Sequence, residues 1–275
     1  MSTIKSSKKA GAAGKSARSS SAASSKTSSR ASSNAAGVDF MAVAAHPDDA
    51  ELFAGGTFLK LRAAGRTGVL VDVTDGAAGT RGSAAIRARE AAAAAKALGV
   101  ARVCLGEPDG RVRATLEAQW KLIEAIRRFR PKVVFTHHPA EEHPDHGATA
   151  ALVKEAVFRA GLKKLDVAGE PFRPGRIFYA VHSALSVTPS FCVDVSAHWD
   201  EKLRVIRCYE SQFHNPAAGR YAGKTDLATP AFLDAMEVRG RFFGQRIRRR
   251  HAEAFWCEEL AEVTDPTALG LERFP

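Results

Sequence analysis

Short apolar runs alternate with longer amphipathic stretches from residue 38 onward. The apolar runs are bounded by turn-forming or polar residues and predict buried strands at residues 41–45, 69–73, 103–105, 132–136 and 191–195. The stretches between them have the length and spacing of helices. Strands that alternate with helices form βαβ units, in which the strands pair in parallel. The pattern therefore predicts one α/β domain over residues 38–275, with a Rossmann-like, mostly parallel sheet and helices on both faces.

Helical spacing also predicts which residues face the core. Apolar residues recur every three or four positions in three of the predicted helices. The expected core positions are Leu116, Trp120, Ile123 and Ile126, then Leu152, Val153, Ala156 and Val157, and finally Trp199, Leu203 and Ile206. Gly65 and Gly99 are placed to end helices. A basic helix is expected from about Pro230, with a solvated face that contains Arg246, Arg248, Arg249 and Arg250.

The net charge of +10 comes mostly from the amino-terminal segment. Residues 1–37 contain seven of the 40 Lys and Arg residues and none of the 30 Asp and Glu residues, which leaves +3 for the rest of the chain. With 13 Ser and 9 Ala, this segment has little apolar surface to bury and is expected to be a disordered tail. A transit peptide and a contact with an anionic surface are the alternatives. The nearly balanced charge of residues 38–275 does not favour nucleic-acid binding.

Two further classes of protein are not favoured by the sequence. A membrane span is not predicted, because no run of 18 apolar residues occurs. A disulfide framework or thiolate zinc site is not predicted either, because the cysteines are far apart and form no CxxC pair. These cysteines are Cys104, Cys192, Cys208 and Cys257. We therefore expect a reduced, cytoplasmic location.

Candidate chemistry is concentrated in two segments of similar composition. The segment His46-Pro47-Asp48-Asp49 follows the first predicted strand, and His143-Pro144-Asp145-His146 follows the fourth. The loop Thr80-Arg81-Gly82 follows the second strand. In a parallel sheet, every turn from strand to helix lies at the carboxyl edge, where α/β proteins bind ligands. The three segments are therefore expected to meet in one crevice.

His and Asp side chains in this number suit a divalent metal ion held without thiolates. Adjacent carboxylates rarely reach one ion, so one of Asp48 and Asp49 is expected to bind the metal and the other to face the substrate. For the same reason, one of His143 and His146 is expected to be a ligand. Two His and one carboxylate leave a position open for water, and the second Asp can then act as a general base. This combination indicates hydrolysis of a carbonyl compound.

Other interpretations of these residues remain open. Each His-Pro or Asp-Asp pair alone is typical of a turn or a helix cap. A non-haem iron(II) oxygenase also uses two His and one carboxylate, but it needs no adjacent second Asp. A non-catalytic sugar- or nucleotide-binding module also has an α/β pattern, although the first loop lacks the GxGxxG motif of dinucleotide binding.

The two segments resemble the motifs of the PIG-L/LmbE-like family of zinc-dependent N-acetylglucosaminyl deacetylases. Residues 45–51, followed by Gly55-Gly56-Thr57, look like the first motif, and residues 143–146 look like the second. The resemblance spans about residues 38–257 and is strongest to the branch that acts in bacillithiol biosynthesis. The segments similar to this branch are residues 75–89, 107–110, 160–162, 189–191 and 209–213.

The resemblance implies a role for individual residues. It implies one zinc ion per chain, with iron(II) as the alternative, bound by His46, Asp49 and His146. It implies that Asp48 is the general base and that His143 is the general acid or oxyanion stabiliser, with its imidazole oriented by Asp145. Arg81 and Arg87 are implied to lie near the acidic part of the substrate; alternatively, Arg87 is a surface helix residue near Glu90.

The activity implied by the resemblance is metal-dependent N-deacetylation, the hydrolysis of a linear amide other than a peptide bond. The implied substrate is N-acetylglucosaminyl malate, and another small N-acetylated amino sugar or amide is the alternative. The resemblance also implies a homo-oligomer. The chain departs from the family pattern at residues 251–255, where His251 stands at a position often occupied by Tyr.

Overall fold

Seven strands form one sheet within the residues that the computed structural model of the chain describes, which are 37–183, 186–214 and 225–269. The strands are β1 (Phe40–Ala44), β2 (Gly68–Thr74), β3 (Ala101–Glu107), β4 (Val133–His137), β5 (Arg176–Ala180), β6 (Phe191–Asp194) and β7 (Ala252–Trp256). Their order is β3-β2-β1-β4-β5-β7-β6. The first five strands in this order pair in parallel, whereas β7 is antiparallel to β5 and β6. This confirms the predicted mostly parallel sheet.

Helices cover both faces of the sheet, as the sequence predicts. They are α1 (Asp49–Ala63), α2 (Ala84–Leu98), α3 (Leu116–Phe129), α4 (Pro144–Ala160), α5 (Trp199–Ile206) and α6 (Pro230–Arg246). Successive residues of β1 point to opposite faces. Phe40 and Ala42 pack with residues of α1, α2, α5 and α6, whereas Met41 and Val43 pack with residues of α3 and α4.

Local sequence signals set the helix ends near the crevice. The hydroxyl of Ser83 accepts a hydrogen bond from the backbone N–H of Ile86 and caps the start of α2. Gly99 ends α2 with a φ of 69°, and Gly65 follows α1 with a φ of 74°. Both predicted helix ends are therefore confirmed. The α4 helix begins with Pro144 at its first turn, where a missing N–H has no cost.

Parts of the sequence-based prediction are wrong. Leu116 and Trp120 were expected in the core but are 53% and 43% exposed. The buried face of α3 passes through Ala118, Leu122 and Ile126, and a shift of two residues turns a side chain about 200° around a helix. The basic helix ends at Arg246, so residues 248–250 lie in the turn before β7 and not on a helix face. The β5 and β7 strands were not predicted.

The order of the strands reverses between β1 and β4, because β2 lies on one side of β1 and β4 on the other. Such a switch point leaves a crevice at the carboxyl ends of the two strands, and open α/β sheets bind ligands there. Among the described residues, no helix has the length and apolar character needed to cross a membrane. Residues 1–36 of the predicted tail lie outside the described residues.

Candidate active site

A cavity of about 360 Å³ lies at this crevice. Its volume is in the range of small-molecule sites. None of the described lining residues comes from the predicted third segment, Thr80-Arg81-Gly82. Residues of the first motif, the second motif and the beginning of the loop after β2 do line the cavity. They are His46, Asp48, Asp49, Gly76, Ala78, Gly79, His143 and His146. Leu52, Phe53, Leu227 and Phe232 add apolar surface.

Asp49 is the centre of the polar cluster. Its Oδ2 lies 3.1 Å from Nδ1 of His46 and 3.3 Å from Nε2 of His146. The same oxygen accepts a hydrogen bond of 2.8 Å from the backbone N–H of His46, which fixes the turn between β1 and α1. One oxygen atom therefore faces the ring nitrogens of both predicted histidine ligands.

The electrostatics of this cluster favour positive charge. Burial lowers the pKa of His46, but contacts with Asp109 and Asp49 outweigh it and raise the pKa to about 11. Burial is likewise outweighed at His146, where Asp49 and Glu141 raise the pKa to about 9. Burial would raise the pKa of Asp49, yet the neighbouring histidines hold it well below its ordinary value. Carboxylates that raise the pKa of two buried imidazole rings favour positive charge at that position, and a metal cation can supply this charge instead of the protons.

Asp48 is buried next to this cluster and has a different partner. Its Oδ2 lies 3.1 Å from Nη2 of Arg87, which also donates a hydrogen bond to the carbonyl oxygen of Pro47. Burial raises the pKa of Asp48 to about 7, with the Asp49 charge acting in the same direction and Arg87 in the opposite one. The backbone of Asp48 has a φ of 113°, which is rare for a residue with a side chain. Arg87 is therefore buried beside Asp48 and is not a surface helix residue.

His143 and Asp145 occupy the start of α4. Nδ1 of His143 accepts a hydrogen bond of 3.2 Å from the backbone N–H of Asp145. The carboxylate of Asp145 accepts hydrogen bonds from the N–H groups of Gly110 and Val112, and it lies 3.4 Å from Nε2 of His46. The described contact of Asp145 with His143 is thus through the backbone, while its carboxylate faces His46.

Arg81, which the sequence places near the substrate, is half-buried and is not among the described residues that line the cavity. Its backbone oxygen accepts a hydrogen bond of 2.9 Å from the side chain of Gln212. Gln212 itself lines the cavity. Through its backbone oxygen, Arg81 thus contacts a residue that lines the cavity.

Two residues that the sequence analysis missed contact the predicted ligands directly. Asp109 lies 3.0 Å from Nε2 of His46 and accepts a hydrogen bond of 2.7 Å from the N–H of Ala78. His137 lies 3.4 Å from Asp49 through Nε2 and stacks on His146 at 3.9 Å between ring centroids. Both follow or end strands, so the reasoning that places His46 at the carboxyl edge of the sheet would place them at that edge too.

Two other missed residues line the cavity beyond His146. The carboxylate of Glu141 lies 3.7 Å from Nδ1 of His146 and accepts a hydrogen bond of 3.0 Å from the N–H of Ser183. His182 lines the same wall and contacts Arg239. The signal for Glu141 was its position two residues before the second motif.

The donor atoms fit a zinc ion. Imidazole nitrogens and carboxylate oxygens are normal zinc ligands, and three protein ligands leave the fourth position open in catalytic sites. His46, Asp49 and His146 supply such a set, and Asp109 and Asp145 contact the second nitrogen of His46, as outer carboxylates commonly do at metal-bound histidines. Among the described residues, three groups have ligating atoms that all lie within 4.8 Å of one another, and the predicted set is divided between the first two. They are His46, His143 and His146; Asp49, His137 and His146; and His46, Asp109 and Asp145.

Comparisons with known proteins identify the family of the chain. The family model for PIG-L, described as GlcNAc-PI de-N-acetylase, matches residues 41–157, which include both motifs. The diacetylchitobiose deacetylase of Thermococcus kodakarensis is 33% identical over 190 residues, which cover 63% of this chain and 69% of that protein. The 1D-myo-inositol 2-acetamido-2-deoxy-alpha-D-glucopyranoside deacetylase of Rhodococcus opacus is 28% identical over 258 residues, covering 70% and 88%.

A solved structure extends the similarity to the whole fold. A conserved protein of Thermus thermophilus is 35% identical, with a TM-score of 0.73, and the match covers 82% of this chain and 98% of that one. The motifs, the fold and the relatives agree with one another. The chain therefore belongs to the PIG-L (GlcNAc-PI de-N-acetylase) family.

Proposed function

We propose that the protein is a zinc-dependent deacetylase that hydrolyses the acetamide of an N-acetylglucosaminide and releases acetate and the free amino sugar. One observation carries this proposal. Asp48 is a buried carboxylate beside His46, Asp49 and His146. It forms an ion pair with Arg87 and takes no part in the contacts among the three proposed ligands. A set of metal ligands with a separate carboxylate supplies the two groups that metal-assisted amide hydrolysis requires.

The metal would be held by His46, Asp49 and His146. When bound, zinc supplies Lewis acidity, which polarises the acetyl carbonyl and lowers the pKa of water at the open position. The contacts of His46 with Asp109 and Asp145 would fix the orientation of this ring.

Asp48 accepts the proton of the attacking water. The ion pair with Arg87 restricts the carboxylate to one orientation, so it needs no rearrangement before the reaction. As the carbon–nitrogen bond breaks, the proton passes to the departing nitrogen, which leaves as the amine. The acetyl carbon keeps the water oxygen and leaves as acetate.

His143 stabilises the negative oxygen that develops on the acetyl group. Nδ1 of this ring accepts the N–H of Asp145, so the proton of the neutral ring is on Nε2. Nε2 can then donate a hydrogen bond in the cavity, which His143 lines. Asp145 thus orients the imidazole of His143 through its backbone, and its carboxylate acts on His46.

The substrate would be a small sugar conjugate. Apolar side chains on one part of the cavity wall can pack against a sugar ring, while the polar groups face the acetamide. Two relatives are named for diacetylchitobiose and for an N-acetylglucosaminyl inositol. Within this class we propose N-acetylglucosaminyl malate, by resemblance to the bacillithiol branch. Arg87 is the better placed of the two predicted arginines to meet its acidic group, since it lines the cavity.

The test is an amine-release assay with N-acetylglucosaminyl malate, N-acetylglucosaminyl inositol, diacetylchitobiose and N-acetylglucosamine, with acetate and bound metal measured on the same samples. We expect equimolar acetate and amine from at least one conjugate, fastest for the malate, in protein that contains zinc. The same measurement on iron-loaded protein under nitrogen separates hydrolysis from oxygen-dependent chemistry. Binding without acetate release from any conjugate would reject the proposed reaction, and a faster reaction with a neutral conjugate would reject the malate assignment.

A further inference from the structure

The α1 helix is broken where it leaves the active site. Ala54 has φ and ψ of −147° and 17°, which are not helical. The helix therefore consists of a first segment, residues 49–53, and a second segment, residues 55–63. A break of this kind leaves carbonyl and N–H groups without helical partners, and these groups need others when they are buried.

A buried ion pair from distant parts of the chain satisfies the groups at the break. Lys202 of α5 donates a hydrogen bond of 2.7 Å from Nζ to the carbonyl oxygen of Leu52, in the first segment. Glu253 of β7 accepts hydrogen bonds of 2.9 and 2.7 Å from the N–H groups of Gly56 and Thr57, in the second segment. Nζ of Lys202 lies 2.6 Å from Oε1 of Glu253. The pair therefore contacts both segments of α1.

The two glycines of the first motif make room for this pair. A Cβ atom on Gly56 would lie 2.8 Å from Cβ of Val195 and 3.1 Å from Oε1 of Glu253. A Cβ atom on Gly55 would lie 3.3 Å from Cγ of Lys202. Because such contacts are at or below normal van der Waals limits, side chains at these two positions would push the pair away from the helix.

The first segment carries the residues of the reaction. It begins with Asp49, directly after Asp48, and ends with Leu52 and Phe53, which line the cavity. The ring of Phe53 also packs edge-on against His137 at 5.3 Å between centroids. A change in the direction of this segment would therefore move the proposed base, one proposed ligand and part of the cavity wall together.

We infer that Lys202 and Glu253 are positioning residues that set the angle between the two segments of α1, and through it the location of Asp48 and Asp49. Lys202 and Glu253 are 2% and 5% exposed, and their charged atoms have partners on both segments. The kinetic consequence of this inference rests on the proposed function. The expected effects of the two residues on metal binding and on the helix backbone do not depend on the proposed function.

The experiment compares Glu253→Gln and Lys202→Met with Arg127→Met in the full-length protein. Arg127 is a suitable control because it is also buried and also binds backbone carbonyl oxygens, those of Ala160 and Leu162, at the far ends of α3 and α4. Melting temperature, zinc affinity, amide hydrogen exchange and, where a substrate is found, kcat and KM are measured for each variant.

For Glu253→Gln and Lys202→Met we expect zinc affinity and kcat to fall about 10- to 100-fold, as for changes behind metal ligands. KM should change much less, and the amides of Gly56 and Thr57 should exchange faster. Arg127→Met should lower the melting temperature by a similar amount but keep zinc affinity. Glu253→Gln alone decides the question if Lys202→Met does not fold, because Gln keeps the shape of Glu.

Wild-type zinc affinity and kcat in folded Glu253→Gln would overturn the inference, and so would equal losses in Arg127→Met. Zinc affinity and hydrogen exchange need no substrate. If no conjugate is hydrolysed by the unaltered protein, the proposed function fails while these two measurements still decide the inference.

Discussion

Two buried charged clusters each contain a residue of the first turn of α1, Glu51 in one and Asp49 in the other, and only one of them resembles a reaction centre. The Arg102 cluster consists of Arg102, Asp72, Glu51 and Tyr209. In it, Arg102 donates to both oxygens of Asp72 at 2.6 and 2.7 Å and to Glu51 at 2.6 Å, and the Tyr209 hydroxyl donates to Glu51 at 3.0 Å. The planar fork of Arg102 matches these acceptors, so the charges are paired in a fixed geometry.

The ligand cluster, His46, Asp49 and His146, is built differently. Several nitrogens converge on a single carboxylate oxygen of Asp49, and the surrounding carboxylates raise the pKa of both histidines despite their burial. Convergence of donor atoms on one point suits an ion at that point, whereas in the Arg102 cluster the guanidinium already supplies the cation that faces both carboxylates. Burial and charge alone therefore do not distinguish a site from a structural ion network, but the geometry of the contacts does.

Removal of the proposed zinc ion should have the largest effect on turnover. Chelation of the wild type, or the substitution His146→Ala, should reduce activity at least about 1,000-fold, because Lewis-acid stabilisation is worth several kcal/mol. Added zinc should restore the chelated wild type but not His146→Ala, as measured by acetate release and metal analysis. Full activity in metal-free protein would show that the histidine nitrogens around Asp49 do not form a catalytic metal site.

The Asp48→Asn substitution should lower kcat by about 10²- to 10⁴-fold, the usual contribution of a general base. Zinc content should stay at the wild-type level, because Asp48 pairs with Arg87 and contributes no atom to the contacts within the ligand cluster. Single-turnover rates and metal analysis of one preparation provide the test. A parallel loss of zinc would place Asp48 inside the ligand cluster.

Arg87→Gln should have a smaller effect, about tenfold on kcat, if the arginine acts mainly by holding Asp48 in position. A rise in KM for the malate conjugate alone would instead support contact with the acidic group of the substrate. Arg81→Gln is the matched control, since Arg81 lies in the loop just before α2 and is not among the described residues that line the cavity. Steady-state kinetics with malate and neutral conjugates separate the two roles.

Arg102→Met should affect turnover least and stability most. It leaves the buried carboxylates of Asp72 and Glu51 without their cation, which costs about 3–5 kcal/mol in comparable cases. Denaturant unfolding measures this loss, while zinc affinity of the folded protein should remain that of the wild type. A loss of zinc without a loss of stability would contradict the distinction between the two clusters.

Four of the five parallel strands, β1 to β4, could be predicted because each contains a short apolar run, whereas the parallel strand β5 was missed. The β7 strand could not be predicted, since Glu253 interrupts its apolar pattern. That carboxylate is buried only because Lys202, 51 residues away, supplies the compensating charge. A pairing over this distance leaves no local pattern in a single sequence.

The candidate site, like the fold, could be predicted from the sequence only in part. His46 and His146 stand in motifs at the ends of strands, so residue types and strand order were enough to bring them together. The partner of Asp48 was not predictable, because the reach of Arg87 from α2 depends on how that helix packs. The contact of Asp109 with His46 likewise depends on the bend of the loop after β3.

The backbone of Asp48, with its φ of 113°, has a consequence for the choice of variants at this position. Asp and Asn tolerate positive φ better than Ala, and Gly tolerates it best. The variants Asp48→Asn, Asp48→Gly and Asp48→Ala all lack the carboxylate that accepts the proton. They differ in how well the residue at position 48 tolerates a positive φ. Comparison of Gly with Ala isolates what the unusual turn costs the folded chain, and Asn isolates what the proton acceptor contributes.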